Sequence, residues 1–364
     1  MKGKVLSMTG IEKTEIQEYD LPTMEKGQVL MKVLKANICG SDVHMWEGKH
    51  IFKNHVLGHE MVGIITELGE GVTTDYAGEE VKVGDRICPV YYLTCSKCKA
   101  CLDGNFNVCV HGSDFQGQHA NIYPHFTGAF ATHYVIQPDQ YFYKVPDNIP
   151  DNVVAGANCG ISQMYYAMDQ IKITIGDNVV VQGAGGLGLF TSAVCDTKGA
   201  NVISIDSVES RLEEAKKFGA KHTINIKDFP TKEARLAEIL RVTGGKEPDI
   251  VVDVTGYPPA LDEAIRMAKI GGTIVEIGSV SIEESQNCTI VPGYIVRKCL
   301  TIRGLLRYQP WYLYKTLQFL SQYHDKYDFI NLTDKCYSLE EGQLALQKAA
   351  NREVARAIIE PNQN

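Results

Sequence analysis

The chain has 364 residues, 44% of them hydrophobic and 22% charged, and a formal net charge of −8. That length allows two domains with separate cores, and the acidic balance argues against nucleic acid as a partner. No apolar stretch reaches the roughly eighteen residues of a membrane span, and Met1-Lys-Gly-Lys-Val-Leu-Ser7 lacks an apolar signal core, so a cytoplasmic protein with no membrane partner is expected.

Taken in chain order, the first residues that carry chemistry are Cys39, in Asn37-Ile-Cys-Gly-Ser-Asp42, and His59, in Leu57-Gly-His-Glu60; Cys159, in Asn158-Cys-Gly160, joins them later. Singly, each has an ordinary reading: a buried cysteine is usually a small hydrophobe, and a histidine beside glycine is usually a turn residue. Together they supply two thiolates and an imidazole, the set that holds a catalytic zinc with its fourth position open. Asp42 would then accept the free N–H of His59 and fix its tautomer.

Between these positions lie Cys95, Cys98, Cys101 and Cys109, spaced C-x2-C-x2-C-x7-C. Short x2 gaps aim neighbouring sulfurs inward, and four thiolates close a tetrahedral structural zinc site. A disulfide knot suits short secreted chains, and eleven cysteines leave one unpaired. A ferredoxin-type run has a shorter last gap and a proline after it, where Val110 stands here. Lys97 and Lys99 are the only nearby cations, too few for a nucleic-acid-binding ribbon. Cys88, Cys195, Cys288, Cys299 and Cys336 are read as reduced thiols.

From about residue 160 to 304, β-rich runs alternate with helical patterns, the signature of a doubly wound parallel sheet in an α/β fold. A strand over Asn178–Gln182 runs into Gly183-Ala-Gly185-Gly186-Leu187-Gly188, followed by a helical segment through Thr191 to Lys198. Gly183 permits a tight turn, Gly185 lets backbone approach a pyrophosphate, and Gly188 lets helix pack on strand, while the helix start offers unpaired N–H groups. The next strand, Asn201–Ile205, ends at Asp206, whose carboxylate suits the ribose hydroxyls and repels a 2′-phosphate, so NAD is expected over NADP. Arg211 dilutes that preference or simply pairs with Glu214 or Glu209. A helix over 209–218 closes at Gly219. Strands over 249–253 and 273–277 abut turns at Gly256 and Gly278, which should face the cofactor.

The Cys-Gly-Ser-Asp-x-His segment at 39–44, Gly58-His-Glu60, Gly84-Asp-Arg86, the four-cysteine loop, Cys159-Gly160, the glycine fingerprint and Asp206 resemble, in order, the zinc-dependent medium-chain alcohol dehydrogenases. The resemblance implies a GroES-like distorted β-barrel catalytic domain over 1–160 and 305–364, with a zinc lobe at about 90–112, and a Rossmann domain over 161–304. It implies two zinc ions per subunit, one catalytic on Cys39, His59 and Cys159 and one structural. It makes Glu60 a transient ligand and Ser41 and His44 a proton relay, with the proton leaving through the Ser41 hydroxyl, the nicotinamide ribose and His44. It puts Arg356 on the cofactor phosphates, against the alternative of a surface ion pair. Polyol and threonine dehydrogenase branches often have glutamate where Cys159 stands, yet the 39–44 segment is closer to those branches. The implied reaction moves a hydride between an alcohol, of secondary or polyol type, and NAD; a zinc- and nucleotide-binding sensor without catalysis is the alternative. A small-molecule alcohol or carbonyl partner and a homodimer or homotetramer follow from the same resemblance. Trp46, Phe52, Phe115, Tyr123 and Phe126 are candidate pocket walls or ordinary packing, and Arg297, Arg303 and Arg307 are candidates for an anionic substrate group, an interface or the cofactor.

Overall fold

The structure, a computed structural model, describes residues 1–49, 55–115, 117–278, 286–333, 335–354 and 356–363. The chain divides into two compact units, Met1–Ser162 with Gln309–Asn364, and Gln163–Tyr308.

The first unit is organised by one strand, Val29–Asn37, whose apolar residues are buried almost throughout. It pairs antiparallel with three partners: Glu60–Leu68, His133–Ile136 and Ala357–Glu360. The sheet continues through Arg86–Pro89 to Phe142–Lys144 on one side and through Lys335–Ser338 on the other. Two register shifts between Val29–Asn37 and Glu60–Leu68 break the regular ladder, and such bulges curl a sheet. Met31, Val33, Leu57, Met61, Ile65, Ile87, Phe130 and Ile359 fill the core beneath it. A hairpin of Lys2–Gly10 and Lys13–Asp20 forms a separate two-stranded sheet.

The second unit is a six-stranded sheet in the order His222–Asn225, Asn201–Asp206, Asn178–Gln182, Ile250–Asp253, Thr273–Glu276, Thr301–Gly304, with every neighbour parallel. Strand order reverses beside Asn178–Gln182, the place where open α/β sheets bind ligands. The helix after the fingerprint spans Gly186–Thr197, starting ahead of the apolar stretch that marks it in the sequence because Gly185 serves as its N-cap. The next helix is Glu209–Lys217, and Gly219 after it has φ +92°, as a C-terminal glycine requires.

A Cβ on Gly188 would lie 1.9 Å from the carbonyl oxygen of Gly183, so the helix touches the strand exit through bare backbone. Gly188→Ala is therefore expected to lower stability by about 1–3 kcal/mol, the usual cost of overpacking. A thermal melt reads it as a lower midpoint than wild type.

Candidate metal and dinucleotide sites

The strand register brings the first cluster together. Asn37 pairs with Glu60 on one side and with Ile358 on the other. Cys39 therefore leaves one strand end beside the point where His59 enters the next, and Arg356 arrives just before the third. Cys159 comes from a single wide helical turn, Ala157–Ile161, buried at every residue. Asn158 clamps that turn in place: its amide nitrogen donates to the carbonyls of His59 and Pro89, each at 2.9 Å, and its oxygen accepts from the Met61 N–H at 3.3 Å. The result is a set of four donors, Cys39, His59, Glu60 and Cys159, whose ligand atoms all lie within 4.8 Å of one another.

Asp42 orients the imidazole. It is fully buried and accepts the Nδ1–H of His59 at 3.1 Å, the Cys39 N–H at 2.9 Å and the Gly58 N–H at 3.2 Å. That leaves the Nε2 lone pair of His59 facing Cys159 Sγ at 3.3 Å. Tetrahedral zinc with bonds of about 2.0 Å to nitrogen and 2.3 Å to sulfur places such atoms about 3.5 Å apart, so the donors fit the ion. Gly58 makes the approach possible, with φ +87° and a Cβ position 2.4 Å from the Phe130 ring.

Electrostatics sharpen the cluster. The hydrogen bond from Cys159 holds the Cys39 thiol well below its ordinary range despite burial, with help from His59 and Ser41, while Cys39 and burial push Cys159 up. Burial works against a charged His59, but the Asp42 carboxylate outweighs it and moves the imidazole upward. Burial raises Glu60 to about 7, against the pull of Arg356. The partly buried Arg356 guanidinium pairs with the Glu60 carboxylate at the donor cluster. The reason is physical: a carboxylate 1% exposed needs a counter-charge, and this is the one at hand. Ser41 bonds to Cys39, and His44, 57% exposed at its side chain, lies 3.7 Å from Glu47.

The second cluster is local. Cys98 caps the short helix Lys99–Leu102, which carries Cys101, and a 3-10 turn over Phe106–Val108 returns the chain at Cys109. The four sulfurs lie within 4.8 Å of one another, and Cys98 and Cys109 are 3.9 Å apart, against about 3.8 Å for two sulfurs at tetrahedral zinc. Backbone N–H groups of Cys98 and Cys95 point at the sulfurs of Cys95 and Cys109. Those of Cys101 and Val110 bring the Cys98 thiol down to about 6, whereas burial takes Cys101 up to about 12.

In the second unit the fingerprint forms an open cradle. Gly183 has φ +98°, and a Cβ on Gly185 or Gly186 would meet nothing within 4 Å, which leaves room above the helix start for a phosphate group. Leu187 lies in the first turn of that helix. Asp206 accepts N–H bonds from Ala184 at 2.8 Å, Ser207 at 2.7 Å and Val208 at 2.9 Å, and Arg211 stands 3.8 Å away. Gly278 touches the turn at Gly256, where a Cβ would fall 2.5 Å from the Gly256 nitrogen.

Several expected pocket residues serve packing. Trp46 and Phe115 are buried in the main core and Phe126 in a smaller cluster with Val5 and Val135, while the Tyr123 hydroxyl donates to the Thr23 carbonyl. Arg303 donates to Gln170 through its carbonyl and its side-chain oxygen. Arg297 ends the exposed helix Pro292–Arg297, and Arg307 has φ +57°. Phe52 lies outside the described residues. Two contributors escaped the sequence reading. Asn158 was visible only as a polar neighbour of Cys159, and Tyr91, whose ring centre lies 5.0 Å from that of His59, follows Pro89 without a motif.

Comparison with known proteins agrees with this geometry. Residues 25–147 match the family model described as alcohol dehydrogenase GroES-like domain, and residues 186–322 match zinc-binding dehydrogenase. The chain is 30% identical over 370 residues to a sorbitol dehydrogenase of Bacillus subtilis, covering 100% of this chain and 98% of that protein. An alcohol dehydrogenase from Thermotoga maritima superposes with a TM-score of 0.92 at 28% identity, covering both chains fully. An Escherichia coli structure titled a short chain alcohol dehydrogenase, solved with NADH, gives 0.83 at 26% identity over 99% of each chain.

The two clusters are expected to separate on mutation. Cys98→Ser should remove about one zinc per chain and lower the melting midpoint strongly, because a closed site contributes folding free energy. Cys159→Ser should lose the other ion with a smaller thermal effect and no turnover. Metal analysis beside melting checks both, and equal thermal losses would contradict the division.

Proposed function

The chain belongs to the zinc-dependent medium-chain dehydrogenase family, and we propose that it is an NAD-dependent enzyme oxidising a secondary or polyol-like alcohol, with one catalytic and one structural zinc per subunit. The observation that carries the reading is the converging donor set of half-buried Cys39 with buried His59 and Cys159, and Asp42 behind the histidine. Those three residues would hold the catalytic ion and Cys95, Cys98, Cys101 and Cys109 the structural one; the former supplies Lewis-acid polarisation of the substrate oxygen, and the dinucleotide supplies the hydride acceptor.

The chain's own residues do the rest. Asp42 keeps the His59 proton on Nδ1, so Nε2 stays a donor. Glu60, held by Arg356, is within reach of the same point as a further ligand. The Ser41 hydroxyl takes the proton that the alcohol loses, and His44, open to solvent, passes it on. Asp206 accepts from the adenosine ribose hydroxyls, and its negative charge opposes a 2′-phosphate, which is why NAD is favoured despite Arg211.

A small neutral alcohol or carbonyl compound is the proposed partner; the sorbitol dehydrogenase supports a polyol. A homodimer or homotetramer is supported by the edge strand Thr301–Gly304, which has one neighbour among the described residues and exposes Ile302 beside exposed Val296 and Leu306. No helix among the described residues is long and apolar enough to cross a membrane, and a reducing cytoplasm would keep the thiol ligands available.

The test is NADH formation with a panel of polyols and secondary alcohols on zinc-loaded protein. Turnover with at least one class is expected, and none across the panel would count against the reading. Asp206→Ala is expected to weaken NAD binding about tenfold, near the 1.5–3 kcal/mol of a charged hydrogen bond, and to narrow the gap to NADP. Binding titrations with both cofactors measure it. Ser41→Ala should lower kcat by about a hundredfold with zinc content unchanged, the usual scale for one proton-transfer group.

A further inference from the structure

The cysteine loop adds little to a hydrophobic core. Leu102 and Val110 are each 71% exposed and Val108 is 46% exposed, so its apolar side chains face outward. Its regular structure is one four-residue helix and one three-residue turn, too short to persist unaided. Its shape therefore depends on the ion that Cys95, Cys98, Cys101 and Cys109 would hold and on what fastens it from outside. Backbone bonds tie its two ends: the Leu93 N–H donates to the Gly112 carbonyl at 3.1 Å, and the Thr94 N–H to that of Asp139 at 3.2 Å.

In the gap between Cys101 and Cys109 a further fastening comes from far along the chain. Gln309 opens the segment that returns to the first unit. Its side-chain oxygen accepts the Phe106 N–H at 3.0 Å, and its amide nitrogen donates to Asn107 Oδ1 at 3.1 Å. The Phe106 ring meets the Trp311 ring edge-on, with centres 5.7 Å apart. One side chain thus spans two successive residues of the turn. Gln309 and Asn107 are both buried, where a hydrogen bond is expensive to leave unmade.

Gln309 leads directly into the helix Tyr312–Tyr323. Its carbonyl accepts the Tyr312 N–H at 2.8 Å, and Trp311 is the N-cap. The helix packs on the wide turn Ala157–Ile161, which carries Cys159. At that contact Ser162 Oγ donates to the Ala157 carbonyl at 2.6 Å and stands 3.0 Å from Thr316 Oγ1, with both residues fully buried. The start of this helix is therefore fastened to the cysteine loop, and its second turn to the segment that presents Cys159.

We propose that Gln309 is a positioning residue that couples the two metal clusters. With the cysteine loop loaded, the Phe106–Asn107 turn is fixed, Gln309 and the helix start are fixed with it, and the helix holds Cys159 in place beside Cys39 and His59. The element with two states is the loop itself. With the loop empty the hook loosens, and Cys159 binds more weakly because its turn has to be ordered first. Loading either cluster then favours loading the other, since such coupling is reciprocal. The inference rests on the two-zinc reading above.

The test titrates zinc-loaded protein with a competing chelator and counts the ions retained per chain. Wild type is compared with Cys98→Ser, Gln309→Leu and the double variant. Wild type should hold the ion of the Cys39, His59 and Cys159 cluster about tenfold more tightly than Cys98→Ser does, a coupling of ordinary size. Gln309→Leu should lose the same factor at that cluster while still binding an ion in the cysteine loop. The double variant should be no weaker than either single one, because both changes cut one connection. The reciprocal arm leaves the loop cysteines intact and serves if Cys98→Ser folds poorly: Cys159→Ser should loosen the loop ion about tenfold, and should do so no further in the Gln309→Leu background. Gln309→Glu offers two oxygens, one for the Phe106 N–H and one for the Asn107 amide once it turns over, and should keep the wild-type affinity. Equal losses in Gln309→Leu and Gln309→Glu would overturn the role of these hydrogen bonds. Losses that multiply in the double variant, or none in Gln309→Leu, would overturn the coupling and leave the two-zinc reading standing. A wild-type chain that retains fewer than two ions would overturn both.

Discussion

The pairing of Asn37 with Glu60 on one edge and Ile358 on the other is the constraint from which the metal cluster follows. Side-chain direction in a strand alternates with every residue, so slipping either ladder by one position would send Glu60 or Arg356 to the opposite face. The apolar residues of Val29–Asn37 resist such a slip because they are buried against Met61, Ile65 and Ile359. Core packing in this unit thus sets a distance between residues more than 300 positions apart, and the ligand geometry inherits its precision from hydrophobic burial.

The cofactor unit was the more legible half. Its strands and helices carry local signals: buried β-branched runs, a glycine that only bare backbone can replace at Gly188, and a positive φ at Gly219. Boundaries moved by a residue or so where a cap decided them, as at Gly185. The cysteine loop was legible for a similar reason, since four sulfurs within fifteen residues need only local turns to converge. The other donors are far apart, and no periodicity links Cys39 to Cys159. Their association came from the family resemblance, and the residue that enforces it, Asn158, has no pattern of its own because it works by satisfying three backbone groups from two segments.

Arg356 is a different case. A lone arginine near a chain end offers no hint of its partner, and phosphate is a common one. In the fold it pairs with Glu60, a carboxylate on a buried strand end that calls for a counter-charge. Trp46, Phe115 and Phe126 were ambiguous on the same grounds: an aromatic residue after a ligand can wall a pocket or fill a core, and burial resolved these three as core.

Packing is one constraint on the first cluster, and charge balance is the other. The first cluster gathers two thiols, Asp42 and Glu60 around one imidazole and one guanidinium, so full ionisation of its acids leaves an excess of negative charge among largely buried groups. The opposed shifts of Cys39 and Cys159 are the protein's response, with one thiol surrendering its proton early and the other keeping it. Cys39 and Cys159 would both hold a dication as thiolates, which would remove the reason for that asymmetry and release the retained proton.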